Sequence, residues 1–224
     1  MSPALRLVVF DVDGTLIDSQ AHIVRAMAEA FAAIDSPAPD RATVLAVVGL
    51  SLPMAVASLA PARSEAEQGA MVAAYRASYG RQRAEGRTPP YPGAADLLAR
   101  LAARDDMLLG LATGMSRRGV EHMLDAEDWR GHFVTRQVAD DHPSKPHPAM
   151  LKAALAEAGV EPAAAIMVGD TEYDIEMGRA AGVATIGVGW GYHPVDRLAR
   201  AGADRIVTDF AALEAALDEI GRQG

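Results

Sequence analysis

The residues in this chain whose types and spacing could do chemistry are Asp11, Asp13, Thr113, Gly114, Lys145, Asp170 and Asp174. Asp11 and Asp13 stand at i, i+2 directly after the apolar run Leu7-Val8-Val9-Phe10 and are followed by Gly14-Thr15. Two unit charges about 4 Å apart repel by roughly 4 kcal/mol at an effective dielectric near 20, so a buried strand ending in this pair needs a cation beside it. Carboxylates held this way can act as nucleophiles, as acids or bases, or as ligands of a hard metal ion. Taken singly, each residue also has an ordinary explanation. Asp13-Gly14 is a turn former, Thr113-Gly114 a strand exit, Lys145 a surface lysine, and Asp170 and Asp174 are helix caps. The chemical reading rests on their joint placement, each beyond an apolar strand.

The elements that must position them follow from periodicity. Leu5 to Phe10 is apolar without alternation, the pattern of a strand buried on both faces of a parallel sheet. From Asp18 to about Gly86 no strand signal occurs, and apolar residues recur at helical spacing: Val24, Met27, Ala28 and Phe31 first, Met71, Val72, Tyr75 and Tyr79 last. Asp18 or Ser19 can cap the first helix, and Ser64 with Glu67 forms a capping box for the last. Thr43 to Ala62 carries no charge and is long enough for a membrane span. Gly49, Ser51 and Pro53 divide it, predicting two short buried helices with Ser51 as an N-cap and Pro53 in the first turn of the second. The Pro/Gly cluster from Gly86 to Gly93 ends the segment and reads as a hinge.

Beyond it the chain alternates. Helix Ala94 to Arg104, strand Met107 to Ala112, helix Arg117 to Ala126, strand Phe133 to Val138 and helix Pro148 to Gly159 are followed by strand Ala165 to Val168, helix Asp174 to Ala181 and strand Ala184 to Val188. A further helix, strand Arg205 to Val207 and helix Ala211 to Ile220 complete the series. Alternation of this kind predicts an α/β fold with a doubly wound parallel sheet. The expected division is a core domain of residues 1–16 and 90–224 with an all-helical segment, 17–89, inserted after the first strand. Ligands of such sheets bind beyond the carboxyl ends of the strands, where strand order reverses. All the residues named at the outset fall on that rim.

Composition narrows the function. A net charge of −9 argues against affinity for nucleic acid or an anionic membrane. The absence of cysteine excludes disulfides, thiolate metal sites and cysteine nucleophiles. The N-terminal stretch has neither the apolar core nor the cleavage site of a signal peptide, so a cytoplasmic protein is expected. Gly187-Val188-Gly189-Trp190-Gly191 is half a dinucleotide fingerprint with its third glycine misplaced, and reads as a tight turn beside the site. His142 and His147 lack the i, i+4 spacing of helical metal ligands and are taken as loop residues. Arg117-Arg118 reads as solvated charge in the first turn of a helix.

The motif residues resemble those of the haloacid dehalogenase superfamily. Asp11-Val12-Asp13-Gly14-Thr15 is similar to its first motif, Thr113 to its second, Lys145 to its third and Gly169-Asp170-Thr171-Glu172-Tyr173-Asp174 to its fourth, with the helical insertion in the position of that family's small cap. The resemblance spans essentially the whole chain. It implies phosphoryl transfer, for which Asp11 would be the nucleophile and form an aspartyl-phosphate. Asp13 would be the acid and base, its pKa raised by Asp11 and Asp170. Thr113, Gly114 and Lys145 would bind the phosphate. Crowded hard oxygen donors favour Mg²⁺, for which the resemblance implies Asp11, the main-chain carbonyl of Asp13 and Asp170 as ligands, with Asp174 supporting them from outside or positioning Lys145.

Asp13 and Thr15 point away from the superfamily's dehalogenases. Lack of any lysine in the insertion excludes the phosphonoacetaldehyde hydrolases. The apolar cap loop Val47-Val48-Gly49-Leu50-Ser51-Leu52 lacks the basic residue of the sugar phosphomutases, which remain the alternative alongside a non-catalytic binding protein. The implied function is hydrolysis of a small phosphorylated metabolite in the manner of the phosphoglycolate phosphatase-like group, although Thr113-Gly114-Met115 departs from the Thr-Asn-Lys of that group. The cap would act as a lid hinged near Leu16-Ile17 and at Gly86 to Pro92, with Gly49 to Leu52, and less centrally His22 and Arg25, facing the substrate.

Overall fold

A computed structural model describes residues 5–86 and 88–220; Arg87, within the expected second hinge, lies outside the described residues. The chain runs β1 (Arg6–Phe10), α1 (Gln20–Ala32), α2 (Arg41–Leu45), α3 (Leu52–Leu59), α4 (Glu65–Glu85), α5 (Ala94–Ala102), β2 (Met107–Thr113), α6 (Arg117–Glu127), β3 (Phe133–Val138) and α7 (Ala149–Ala158). It continues through a 3-10 turn at Pro162–Ala164 to β4 (Ala165–Gly169), α8 (Glu172–Ala181), β5 (Ala184–Val188), α9 (Val195–Ala201), β6 (Arg205–Val207) and α10 (Phe210–Ile220). The α/β class and doubly wound sheet expected from the alternation are what the structure has.

The six strands lie in the order β3-β2-β1-β4-β5-β6 and all pair parallel. Order reverses between β1 and β4, which places the residues following those two strands at the switch point. Side chains of β1 alternate between two apolar cores, which is why its sequence shows no polar face. Val8 and Phe10 pack with Leu97, Leu98 and Leu101 of α5, Val120 and Leu124 of α6, and Leu213 and Leu217 of α10. Leu7 and Val9 pack with Met150, Leu151 and Ala154 of α7 and Met177 of α8.

Helices α1 to α4 enclose an apolar cluster of their own, around Ile23, Met27, Phe31, Val44, Val56 and Met71. The buried face of α1 is Ile23, Ala26, Met27, Ala30 and Phe31, rotated from the expected one so that Ala28 is exposed. The uncharged stretch from Thr43 forms two short helices, with Ser51 and Pro53 at the start of the second. No helix among the described residues is long and apolar enough to cross a membrane. Ser64 and Glu67 close a capping box on α4.

The chain leaves and re-enters the sheet at one place. The amide of Asp18 donates to the Pro89 carbonyl (3.0 Å) and that of Tyr91 to the Leu16 carbonyl (2.9 Å), so the two connections run side by side.

At the opposite end of the sheet, Asp106 accepts from Arg104 and Arg6, the latter at 2.7 Å, and Arg104 also donates to Asp218 of α10 (2.6 Å). Arg104 first and Arg6 second hold the Asp106 carboxyl well below its usual range. A depressed carboxylate stabilises the fold above the unfolded-state value of 3.8, and that contribution is lost as pH falls toward the lower folded-state value. Asp106→Asn is therefore expected to lose about 1–2 kcal/mol at pH 7. Denaturant titrations at pH 7 and pH 3 should show the deficit shrinking in acid.

Candidate active site

Asp11 is the first residue after β1, and its amide donates to the Val168 carbonyl of β4 (2.9 Å), which fixes it at the switch point. Asp170 follows β4 and is fully buried. Its carboxylate accepts from the Thr15 hydroxyl (2.9 Å) and from the amide of Tyr192 (2.8 Å), which lies in the turn after β5. Two glycines make room for it. Gly14 has φ +86°, and a Cβ there would lie 2.2 Å from Asp170 Oδ2; a Cβ at Gly191 would lie 2.1 Å from Asp170 Cβ. Gly189 to Gly191 is thus the expected turn beside the site, whereas Gly187 and Val188, expected in that turn, are the last residues of β5.

Lys145, in the loop between β3 and α7, is fully buried with its ammonium 2.6 Å from Asp174 Oδ1 and 3.0 Å from Asp11 Oδ1. Only the Asp174 contact is aligned as a hydrogen bond, and both oxygens of Asp11 are buried with no hydrogen-bond partner. Asp174, in the first turn of α8, also accepts through Oδ2 from the amide (3.0 Å) and hydroxyl (2.7 Å) of Thr171. It therefore serves as a helix cap and as the anchor of Lys145 at once.

Carboxylate oxygens of Asp11, Asp170 and Asp174 come within 4.8 Å of one another. Burial raises the Asp11 carboxyl to about 7, with Lys145 pulling it down and Asp174 pushing it up. Burial first, then the charges of Asp11 and Asp174, raise Asp170 well above its usual range. Burial also opposes the Lys145 charge, but the carboxylates of Asp11 and Asp174 outweigh it and hold its pKa above the ordinary value. One ammonium among three buried carboxylates leaves negative charge uncompensated, and the free oxygens belong to Asp11. This all-oxygen set fits a hard divalent cation.

Among the described residues the Asp13 carboxylate is not part of that cluster. It accepts from the Ser19 hydroxyl (2.5 Å), which lies 2.7 Å from the Tyr192 hydroxyl, and Tyr192 in turn accepts from the Ser19 amide (3.1 Å). Ser19 occupies the N-cap position of α1 but makes no side-chain cap, because its hydroxyl is turned to Asp13. The Asp13 pKa is raised, as expected, but by burial rather than by Asp11 and Asp170; Ser19, Arg83 and Lys145 act the other way.

A cavity of about 640 Å³ opens above these groups. Asp11, Asp13, Thr113 and Gly114 line it from the sheet, and Val47 to Leu52 with Tyr75 and Tyr79 line it from the helical segment. The segment sits directly on the rim: the Ser51 amide donates to Ser144 Oγ (2.8 Å), the Tyr173 hydroxyl to the Ala46 carbonyl (3.2 Å), and a Cβ at Gly114 would meet the Leu50 carbonyl at 2.7 Å.

His22 and Arg25 are not among the cavity-lining residues. His22 is engaged by the Thr88 hydroxyl, and Arg25 pairs with Glu29 and Glu85 on the outer surface, because α1 turns its apolar side inward. Arg117 pairs with Asp141, whereas Arg118 lines the cavity. His142 is hydrogen-bonded to the Gln137 side chain at the end of β3, and His147 accepts from the Ala149 amide at the start of α7. Sequence reasoning gave Ser19 only a capping role and did not single out Tyr192 or Arg83.

The sequence model of the haloacid dehalogenase-like hydrolases matches residues 8–188. The chain belongs to the haloacid dehalogenase-like hydrolase family. Probable phosphatase IndB of Dickeya dadantii is 35% identical over 92% of this chain and 90% of its own length. The phosphoglycolate phosphatase of Rhodospirillum rubrum is 31% identical over 93% and 89%. Among solved structures, a hydrolase from Pseudomonas syringae superposes with a TM-score of 0.86 at 26% identity, covering 96% of this chain and 99% of that one. As a member of this family the chain is an enzyme, and the two sequence relatives named carry phosphatase names.

Proposed function

We propose that the protein is a Mg²⁺-dependent phosphatase that hydrolyses a small phosphate monoester through a phosphorylated Asp11. The observation carrying this reading is Asp11 itself, with two buried carboxylate oxygens that make no hydrogen bond at the switch point and an ammonium 3.0 Å away. In this reading Asp11 attacks phosphorus, and Asp13 protonates the departing alkoxide and then takes a proton from the water that releases phosphate. Thr113 and the Gly114 amide bind phosphate oxygens, and Lys145 holds the nucleophile in place as a point charge. Mg²⁺ would be held by Asp11, Asp170 and the main-chain carbonyl of Asp13, with Asp174 behind them, and would neutralise charge on the phosphoryl oxygens.

Residues 17–89 form the cap in this reading, hinged where its two connections run together, and they choose the substrate while the strand ends fix the reaction. The cytoplasm is the proposed setting. The loop Val47 to Leu52 that roofs the cavity is apolar and lacks the basic residue expected there of a sugar phosphomutase, which supports hydrolysis over phosphate transfer between sugar positions. The test is hydrolysis of p-nitrophenyl phosphate after chelation. Activity lost in EDTA and restored by Mg²⁺ is expected; turnover indifferent to both would overturn the metal-dependent reading.

Two variants probe this division of labour. Ser19→Ala should lower kcat about tenfold with KM little changed, since the Ser19 hydroxyl touches Asp13 and not the substrate; a change confined to KM would contradict its role as a positioning residue. Leu50→Ala should alter the ranking of substrates across a phosphate-ester panel more than the maximal rate on its best substrate. An unchanged ranking would count against the cap loop as a specificity element.

A further inference from the structure

Most arginines among the described residues are taken up by carboxylate, amide or carbonyl oxygens. Carboxylates hold Arg25, Arg117 and Arg197, and the carbonyls of Gly202 and Asp204 hold Arg179 and Arg205. Among the described residues Arg76, Arg83 and Arg118 pair with no carboxylate, amide or carbonyl oxygen, Arg83 meeting the Tyr79 side chain instead, and all three line the cavity above Asp11 and Asp13. Scarcity of acids is not the reason, because the chain carries 30 Asp and Glu against 21 Lys and Arg. Arg76 and Arg83 come from α4, and Arg118 comes across the cleft from the first turn of α6. Arg83 is half-buried, with its guanidinium 4.8 Å from the Tyr79 ring centroid. Asp140, which also lines the cavity, accepts from the Arg117 amide.

The remaining wall suits a body between two charged ends. Tyr75 and Tyr79 stack with centroids 5.8 Å apart and planes 12° from parallel, and Leu50 and Leu52 add apolar surface. A cavity of about 640 Å³ lies in the range that buries drug-sized ligands, well beyond what a phosphate on a two-carbon acid fills. Guanidinium groups present a planar fork that matches carboxylate and phosphate oxygens.

Building on the phosphatase reading above, we infer that the substrate carries a second anionic group, held by Arg83 with Arg76 and Arg118, at the far end of an apolar or planar body lying between Leu50 and the Tyr75–Tyr79 pair. Arg83 reads this group from inside the cleft. Arg76 and Arg118, more exposed, draw it in.

The experiment compares 4-carboxyphenyl phosphate with phenyl phosphate, and in parallel the binding of 4-carboxybenzylphosphonate with that of benzylphosphonate, which cannot be hydrolysed. The wild type is expected to prefer the carboxylated member about tenfold in kcat/KM and in Kd. That ratio should fall to within about threefold of unity in Arg83→Gln and in the surface double variant Arg76→Gln/Arg118→Gln, and should keep its wild-type value in Arg200→Gln. Using a ratio cancels any loss common to both esters, and the surface pair tests the idea even if Arg83→Gln folds poorly. No preference in the wild type, or a preference surviving in both arginine variants, would overturn the inference. Absence of turnover with the phosphonate preference intact would instead overturn the phosphatase reading and leave the second anion site standing.

Discussion

Asp11→Asn is expected to abolish hydrolysis of phosphate monoesters, by about 10⁴-fold or more, while making the metal-free protein more stable. The two effects have one cause. Asp11 sits at the strand end with both oxygens buried and without a hydrogen-bond partner, beside Asp170 and Asp174; burial raises its carboxyl to about 7, the Asp174 charge adding to the rise and the single Lys145 ammonium offsetting only part of it. Because the folded chain holds that proton more tightly than the unfolded chain, whose reference value is 3.8, stability falls as pH rises from about 4 to about 7. Asparagine removes the charge at nearly constant volume. In EDTA at pH 8 the variant should gain about 1–2 kcal/mol, each kcal/mol raising Tm by roughly 2–4 °C for a chain of this size, and its stability should fall less steeply between pH 4 and pH 7. Retained activity would remove Asp11 from the chemistry. An inactive variant less stable in EDTA would show that Asp11 is structural.

Lys145→Met should act in the opposite direction on stability. The ammonium lies in full burial between Asp11 and Asp174, and its loss leaves Asp11, Asp170 and Asp174 in one pocket with no positive charge. Removing one partner of a buried ion pair typically costs about 3–5 kcal/mol, so the melting temperature should drop by roughly 10 °C and turnover should collapse with it. In EDTA, adding Asp11→Asn to Lys145→Met should recover more stability than Asp11→Asn adds to the wild type, because it removes one of the stranded charges; a double-mutant cycle measures that coupling, expected at about 1–3 kcal/mol. Additive effects of the two substitutions would mean that the two side chains do not share one electrostatic cluster.

The strand ends were legible because their sequences answer to one constraint each. Leu7 to Phe10 has no polar face since both faces of β1 are buried, and the polar residue that follows such a run is forced to the rim. The helical segment was legible as helices but less so in its facing. Spacing alone set Ala28 on the inner side of α1, yet packing turned Ile23 and Ala30 inward, and His22 and Arg25 went with the rotation away from the cavity. Ser19 shows a second limit. A serine at an N-cap position ordinarily serves the helix, and only the approach of Asp13, fixed by the turn through Gly14, diverts it. Arg83 lies in the polar stretch Gly80-Arg81-Gln82-Arg83-Ala84-Glu85, which has the pattern of a solvated helix end; the return of the chain over the sheet rim is what brings it above Asp13.

The most direct measurement is to find where the phosphoryl group goes. Enzyme mixed with substrate in Mg²⁺, quenched in acid within the first turnover and treated with borohydride, should show Asp11 reduced to homoserine in the peptide carrying Leu7 to Leu16, a change absent without substrate. An acyl phosphate trapped at any other residue, or steady turnover with Asp11 never modified, would contradict the account.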